Sequence, residues 1–107
     1  MALMSTHVLD TALGRPAAGL AVRLELAAGD DWIEIARAVT DEDGRVRSLA
    51  ETTAAGTYRL TFETGPYLGP GAFYPEVVVA FAVADPAAHH HVPLLLSPFG
   101  YTTYRGS

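Results

Sequence analysis

Hydrophobic and polar positions alternate along three stretches of the chain. Over residues 20–26, Leu20, Val22, Leu24 and Leu26 fall on one side, with Ala21, Arg23 and Glu25 on the other. Residues 32–39 set Ile33 and Ile35 against Glu34, and residues 57–63 set Tyr58, Leu60 and Phe62 against Arg59, Thr61 and Glu63. A period of two with one polar face predicts half-buried antiparallel strands. Residues 76–83 and 92–96 are apolar almost throughout, which predicts strands buried on both faces. Turn signals separate these runs: Gly14-Arg15-Pro16, Gly29-Asp30-Asp31, Asp41-Glu42-Asp43-Gly44, Ala54-Ala55-Gly56 and Gly65-Pro66. Strands every 8–12 residues or so, with turns between, predict a β-sandwich or barrel. At most one helix is expected, around residues 67–73, where Gly69, Pro70 and Gly71 hold it to a single turn.

The last third of the chain is almost free of charge. From Phe81 to Tyr104 the only charged side chain is Asp85, while Val92, Leu94, Leu95, Leu96, Phe99, Tyr101 and Tyr104 are apolar or aromatic. One face of a strand serves the core, so the other apolar face needs its own cover. Another subunit is the expected cover, in a closed, symmetric oligomer.

Composition narrows the function classes. With 107 residues, half of them hydrophobic, the chain is expected to form one globular domain over residues 1–107. It has seven basic residues, all arginine, against twelve acidic ones, for a net charge of −5. Nucleic-acid and membrane-surface binding both require clustered positive charge and are set aside. The absence of cysteine removes disulfides, thiolate metal sites and a cysteine nucleophile. The start, Met1-Ala2-Leu3-Met4-Ser5-Thr6-His7, has no basic and apolar regions of a signal peptide, and no run of about 18 apolar residues occurs. A cytoplasmic protein is expected.

Four histidines are the first candidates for chemistry: His7 and the run His89-His90-His91. On a strand, His89 and His91 share a face and His90 points to the other. Imidazole is the usual general base near neutral pH. The bland alternative is a set of solvated or locally bonded residues ahead of a core strand. A zinc site built from His7, His89 and His91 is a further alternative, without an obvious carboxylate ligand nearby. The segment from Asp41 to Arg45 has the start of a calcium loop, but the position for its later glutamate is Thr52, so that reading fails. It reads as a tight turn with Gly44 at positive φ. Arg45 leaves that turn at the start of a strand, where its guanidinium fork suits a planar, oxygen-rich ligand, and Arg47 shares its face. No nucleophile elbow, phosphate loop or dinucleotide fingerprint occurs.

Four blocks, in order, resemble the 5-hydroxyisourate hydrolases, also called transthyretin-related proteins. They are Thr6-His7-Val8-Leu9-Asp10-Thr11 with Gly14-Arg15-Pro16-Ala17; Thr40-Asp41 with Asp43-Gly44-Arg45; His89-His90-His91-Val92-Pro93-Leu94-Leu95-Leu96-Ser97-Pro98 running into Gly100-Tyr101-Thr102-Thr103; and the ending Tyr104-Arg105-Gly106-Ser107. Tyr74-Pro75-Glu76-Val77 also fits. The resemblance implies an all-β, two-sheet Greek-key sandwich of transthyretin type with about eight short strands. It implies a homotetramer, a dimer of dimers, whose active sites lie in the cleft between dimers. His7, Arg45, His91 and Ser107 are then the catalytic positions, His7, Arg45 and Tyr104 contact substrate, and Arg105 and Gly106 support them. Neither a metal nor another cofactor is implied.

The implied substrate is 5-hydroxyisourate, a planar product of urate oxidation whose six-membered ring is opened by water. The product is 2-oxo-4-hydroxy-4-carboxy-5-ureidoimidazoline. That reaction needs a base for water, a donor for the growing oxyanion and a proton for the leaving nitrogen. His7 and His91 are the candidate proton carriers, Arg45 the charge stabiliser and Tyr104 a hydrogen-bonding or stacking group. Ser107 offers either its hydroxyl or its terminal carboxylate. The other reading is a non-catalytic, transthyretin-like protein that binds a small ligand. Plain transthyretins lack the Tyr-Arg-Gly-Ser ending and these histidines, which favours the enzyme. Two positions depart from the family pattern: His90 is more often tyrosine, and the Pro/Gly-rich segment 65–73 is short, which puts the family's small helix in doubt.

Overall fold

The computed structural model describes residues 3–51 and 54–106. In chain order it contains β1 (Leu3–Asp10), β2 (Arg15–Pro16), β3 (Ala21–Ala28), β4 (Asp31–Val39), β5 (Arg45–Glu51), β6 (Gly56–Phe62), α1 (Thr64–Leu68), β7 (Val77–Val83), β8 (His90–Ser97) and β9 (Gly100–Thr103). One sheet runs β2-β1-β8-β9, with β5 also paired to β1; the other runs β4-β3-β6-β7. Among the described residues, only the β1–β8 pair is parallel. The fold is the all-β, two-sheet sandwich that the alternation and the resemblance predict. No helix among the described residues is long and apolar enough to cross a membrane.

The two inner faces meet over one core. Val8, Leu60, Phe62, Leu94 and Leu96 have no solvent exposure, and Val22 and Leu24 close the gap between sheets. The alternation of residues 20–26 and 57–63 is realised as β3 and β6, which pair with Leu24 opposite Leu60. In β4 the alternation is interrupted. Leu24 faces Ala36 but Glu25 faces Glu34, so Ile35 is the extra residue of a bulge, and Ile33 and Ile35 stay exposed.

β1 has no simple apolar face, yet it is central. Met4, Thr6, Val8 and Asp10 all point inward and are buried. The polar pair is satisfied internally: Thr6 Oγ1 donates to the Val92 carbonyl (2.6 Å), while Asp10 accepts from the Leu13 N–H (2.9 Å) and the Tyr67 hydroxyl (2.8 Å). Burial, and then the Asp10 carboxylate beside it, push the Tyr67 hydroxyl above its ordinary value. Tyr67 comes from α1, so the helix is retained as a clamp on the end of β1. It lies at Thr64–Leu68, ahead of the predicted 67–73, because the chain turns at Gly69 and continues as a Pro/Gly loop.

Candidate active site

β1 is the spine of the site. Its outward residues are Leu3, Ser5, His7 and Leu9. Antiparallel pairing sets Arg45 of β5 opposite His7, and parallel pairing sets His91 of β8 opposite Ser5. Cross-strand partners share a face, so two imidazoles and a guanidinium from three distant segments meet on the outer surface of one sheet.

The turn before β5 delivers Arg45. The Asp41 carboxylate accepts the backbone N–H groups of Asp43 (2.8 Å) and Arg45 (3.0 Å). Those bonds, the Arg45 amide first, hold the Asp41 carboxyl below the ordinary carboxylate value. Gly44 takes φ +73°, as the turn reading expected, and a Cβ there would run into the Val8 carbonyl. The same turn anchors the first imidazole, because His7 Nε2–H donates to the Asp43 carbonyl at 2.8 Å. A carbonyl only accepts, so Nε2 carries a proton and Nδ1 is the lone-pair nitrogen of neutral His7.

His91 is gripped from both sides. Its Nδ1 lies 2.7 Å from Ser5 Oγ. On its other side, the Gly106 N–H donates to the His91 carbonyl at 2.8 Å, and the glycine backbone presses on the ring. A Cβ at residue 106 would come within 2.5 Å of His91 Cδ2, so only glycine allows this approach. Burial, then the Arg45 cation and then His7, push His91 below the ordinary imidazole value of 6.5. The ring is therefore neutral at neutral pH and able to accept a proton.

A concavity of about 350 Å³ opens on this face, lined by Leu3, Ser5, Arg45, Arg47, His89 and His91. His89 turns its Nδ1 to the Leu3 N–H at 3.1 Å. Arg47 reaches the Asp43 carboxylate at 3.4 Å, an exposed pair, whereas Arg45 has no carboxylate partner among the described residues. Of the residues singled out in the sequence, His7, Arg45, His91 and Gly106 come together. Tyr104 and Arg105 do not line this concavity. They border a second crevice of about 190 Å³ with Val79, Phe81, His90 and Val92; His91 lines both hollows, and Tyr104 and Arg105 are exposed. Ser107 lies outside the described residues. His90 points inward, 5% exposed, with Nδ1–H donating to the Ala88 carbonyl at 3.0 Å. The zinc alternative requires three converging ligands, and among the described residues no three His, Cys, Asp or Glu side chains are grouped so as to hold a metal ion.

Sequence reasoning missed Ser5. Its signal was available: two residues before His7 on a strand, it shares the histidine's face.

Comparison with known proteins places the chain as a whole. Residues 4–106 match the model of the HIUase/Transthyretin family. The chain is 49% identical to "5-hydroxyisourate hydrolase 2" of Rhizobium meliloti over 97% of its own length and 95% of the relative's. Its structure resembles that of Klebsiella pneumoniae 5-hydroxyisourate hydrolase (TM-score 0.82, 35% identity, 97% of this chain and 98% of that one). It equally resembles transthyretin from Sparus aurata (TM-score 0.89, 32% identity, 99% and 97%).

Proposed function

The chain belongs to the HIUase/transthyretin family, and on that premise we propose how it acts as a 5-hydroxyisourate hydrolase in urate degradation. The observation that carries the reading is the His7–Arg45–His91 constellation on an otherwise acidic protein.

His91 is the base. It is held neutral, and its Nε2 has no partner among the described residues, so it can take the proton of an attacking water. Arg45, without a carboxylate partner among the described residues, stabilises the oxyanion as the carbonyl becomes tetrahedral. His7 stands opposite Arg45 with its ring fixed by the Nε2–H bond to the Asp43 carbonyl, and it delivers a proton to the leaving nitrogen from Nδ1, as the imidazolium. Water adds, the ring C–N bond breaks, and the nitrogen leaves protonated with the carboxylate formed.

Tyr104 contacts substrate, Arg105 and Gly106 support the site, and Ser107 joins His7, Arg45 and His91 in the catalytic set. In one subunit Tyr104 borders a crevice that shares His91 with the concavity, and assembly completes the pocket around them. The proposal includes a dimer of dimers with sites at the subunit seam. Supporting it, β7 and β9 end their sheets, and Val78, Phe99 and Tyr101 lie exposed on or beside them. The single domain 1–107 and a cytoplasmic site of action complete the reading. The carrier alternative draws on the transthyretin likeness.

The test is the spectroscopic decay of fresh 5-hydroxyisourate with and without protein. Acceleration by catalytic amounts is the expected result; decay at the uncatalysed rate with stoichiometric binding overturns the hydrolase in favour of a carrier.

A further inference from the structure

We propose that Ser5 is a positioning residue for His91: its hydroxyl accepts the Nδ1–H of the imidazole, fixing the proton on that nitrogen and leaving the Nε2 lone pair toward the concavity. Ser5 is the direct register partner of His91 across the parallel β1–β8 pair, with Oγ 2.7 Å from Nδ1. Both residues are on strands whose opposite faces are locked in the core by Thr6 and Val92. Gly106 closes the far side of the ring, so the imidazole has one orientation. What remains open is which nitrogen carries the proton.

Electrostatics decide it. The concavity also holds Arg45 and Arg47, whose guanidiniums are pure donors. A lone pair facing them is favoured over another N–H, so Nε2 is bare and Nδ1 holds the proton. The contact to Ser5 then survives when Nε2 takes a proton, because Nδ1–H is present in both charge states. A serine does this without the negative charge of a carboxylate partner. A carboxylate would stabilise the imidazolium and raise the pKa of the base; the hydroxyl orients the ring and leaves it neutral.

The kinetic arm rests on the hydrolase reading, and the spectroscopic arm does not. Ser5→Ala is expected to lower kcat about 10- to 100-fold with KM little changed. In ¹⁵N NMR of the histidine rings, the His91 proton should redistribute toward Nε2. Ser5→Thr, which keeps the hydroxyl and suits a strand, should restore both. Ser5→Asp should move the His91 titration upward, and it decides the matter if Ser5→Ala does not fold. Unchanged kcat and unchanged ring signals in Ser5→Ala, or an unmoved titration in Ser5→Asp, overturn the proposal. An unaltered chain that fails to accelerate 5-hydroxyisourate decay sinks the hydrolase reading alone, since the ring signals still report on Ser5.

Discussion

The two sheets both carry charged side chains on their outer faces, and they use them in opposite ways. On the β4-β3-β6-β7 sheet the charges cancel. Arg59 pairs with Glu25 at 2.9 Å, Arg23 with Glu63 at 3.2 Å and Arg37 with Glu34 at 2.7 Å, and Arg59 also sits 4.2 Å over the Trp32 ring. The neighbouring arginines, Arg59 first, hold Glu25 below its ordinary value. On the other sheet Arg45 has no carboxylate among the described residues, and it stands beside two imidazoles. A paired charge has spent its field on a neighbour, whereas an unpaired one in a concavity keeps its field for a ligand. The same residue types are structural on one face and chemical on the other.

Substitution at matched places breaks the comparison most sharply. His91→Asn should lower kcat/KM by about 10²- to 10⁴-fold with the melting temperature nearly unchanged. Glu25→Gln on the opposite sheet should leave kcat/KM unaltered and lower only the melting temperature, slightly. Steady-state kinetics and thermal denaturation of both variants check this, and a large kinetic loss in Glu25→Gln would erase the distinction between faces.

The turns separate next. Gly44→Ala forces a Cβ into the Val8 carbonyl at a positive-φ position, so chemical denaturation should show a loss of at least about 2–3 kcal/mol. Gly29, in the β3–β4 turn, also has positive φ but open space around it, so Gly29→Ala should cost only about 1–2 kcal/mol.

The smallest effect sharpens the electrostatic side. His91 lies below 6.5, and a base works when deprotonated, so the acid limb of kcat/KM should fall below that pH. Arg45→Gln removes a cation that disfavours the imidazolium. The His91 titration, followed by NMR, should then move up toward 6.5, while Arg59→Gln should leave it in place.

Much of the architecture was legible where local pattern and tertiary role agree. Residues 20–26 and 57–63 alternate because one face of β3 and β6 meets the core and the other meets water. β1 escaped that logic. Two of its four inward residues, Thr6 and Asp10, are polar, and two outward ones, Leu3 and Leu9, are apolar. Its burial depends on bonds to Val92, Leu13 and Tyr67, which no periodicity encodes. The helix was misplaced by three residues at its start for a similar reason: Thr64 is buried against the fold, while the sequence weighs only Gly and Pro.

The amino-acid sequence alone determined which groups are available: imidazoles, an arginine at the start of a strand, a glycine able to lie against a ring, and no thiol. It also determined their spacing along strands, which assigns each to a face because the period of a strand is two. Only the tertiary structure decided who meets whom. Register across β5, β1 and β8 sets Arg45 opposite His7 and Ser5 opposite His91, and register is a property of paired strands, absent from any one of them.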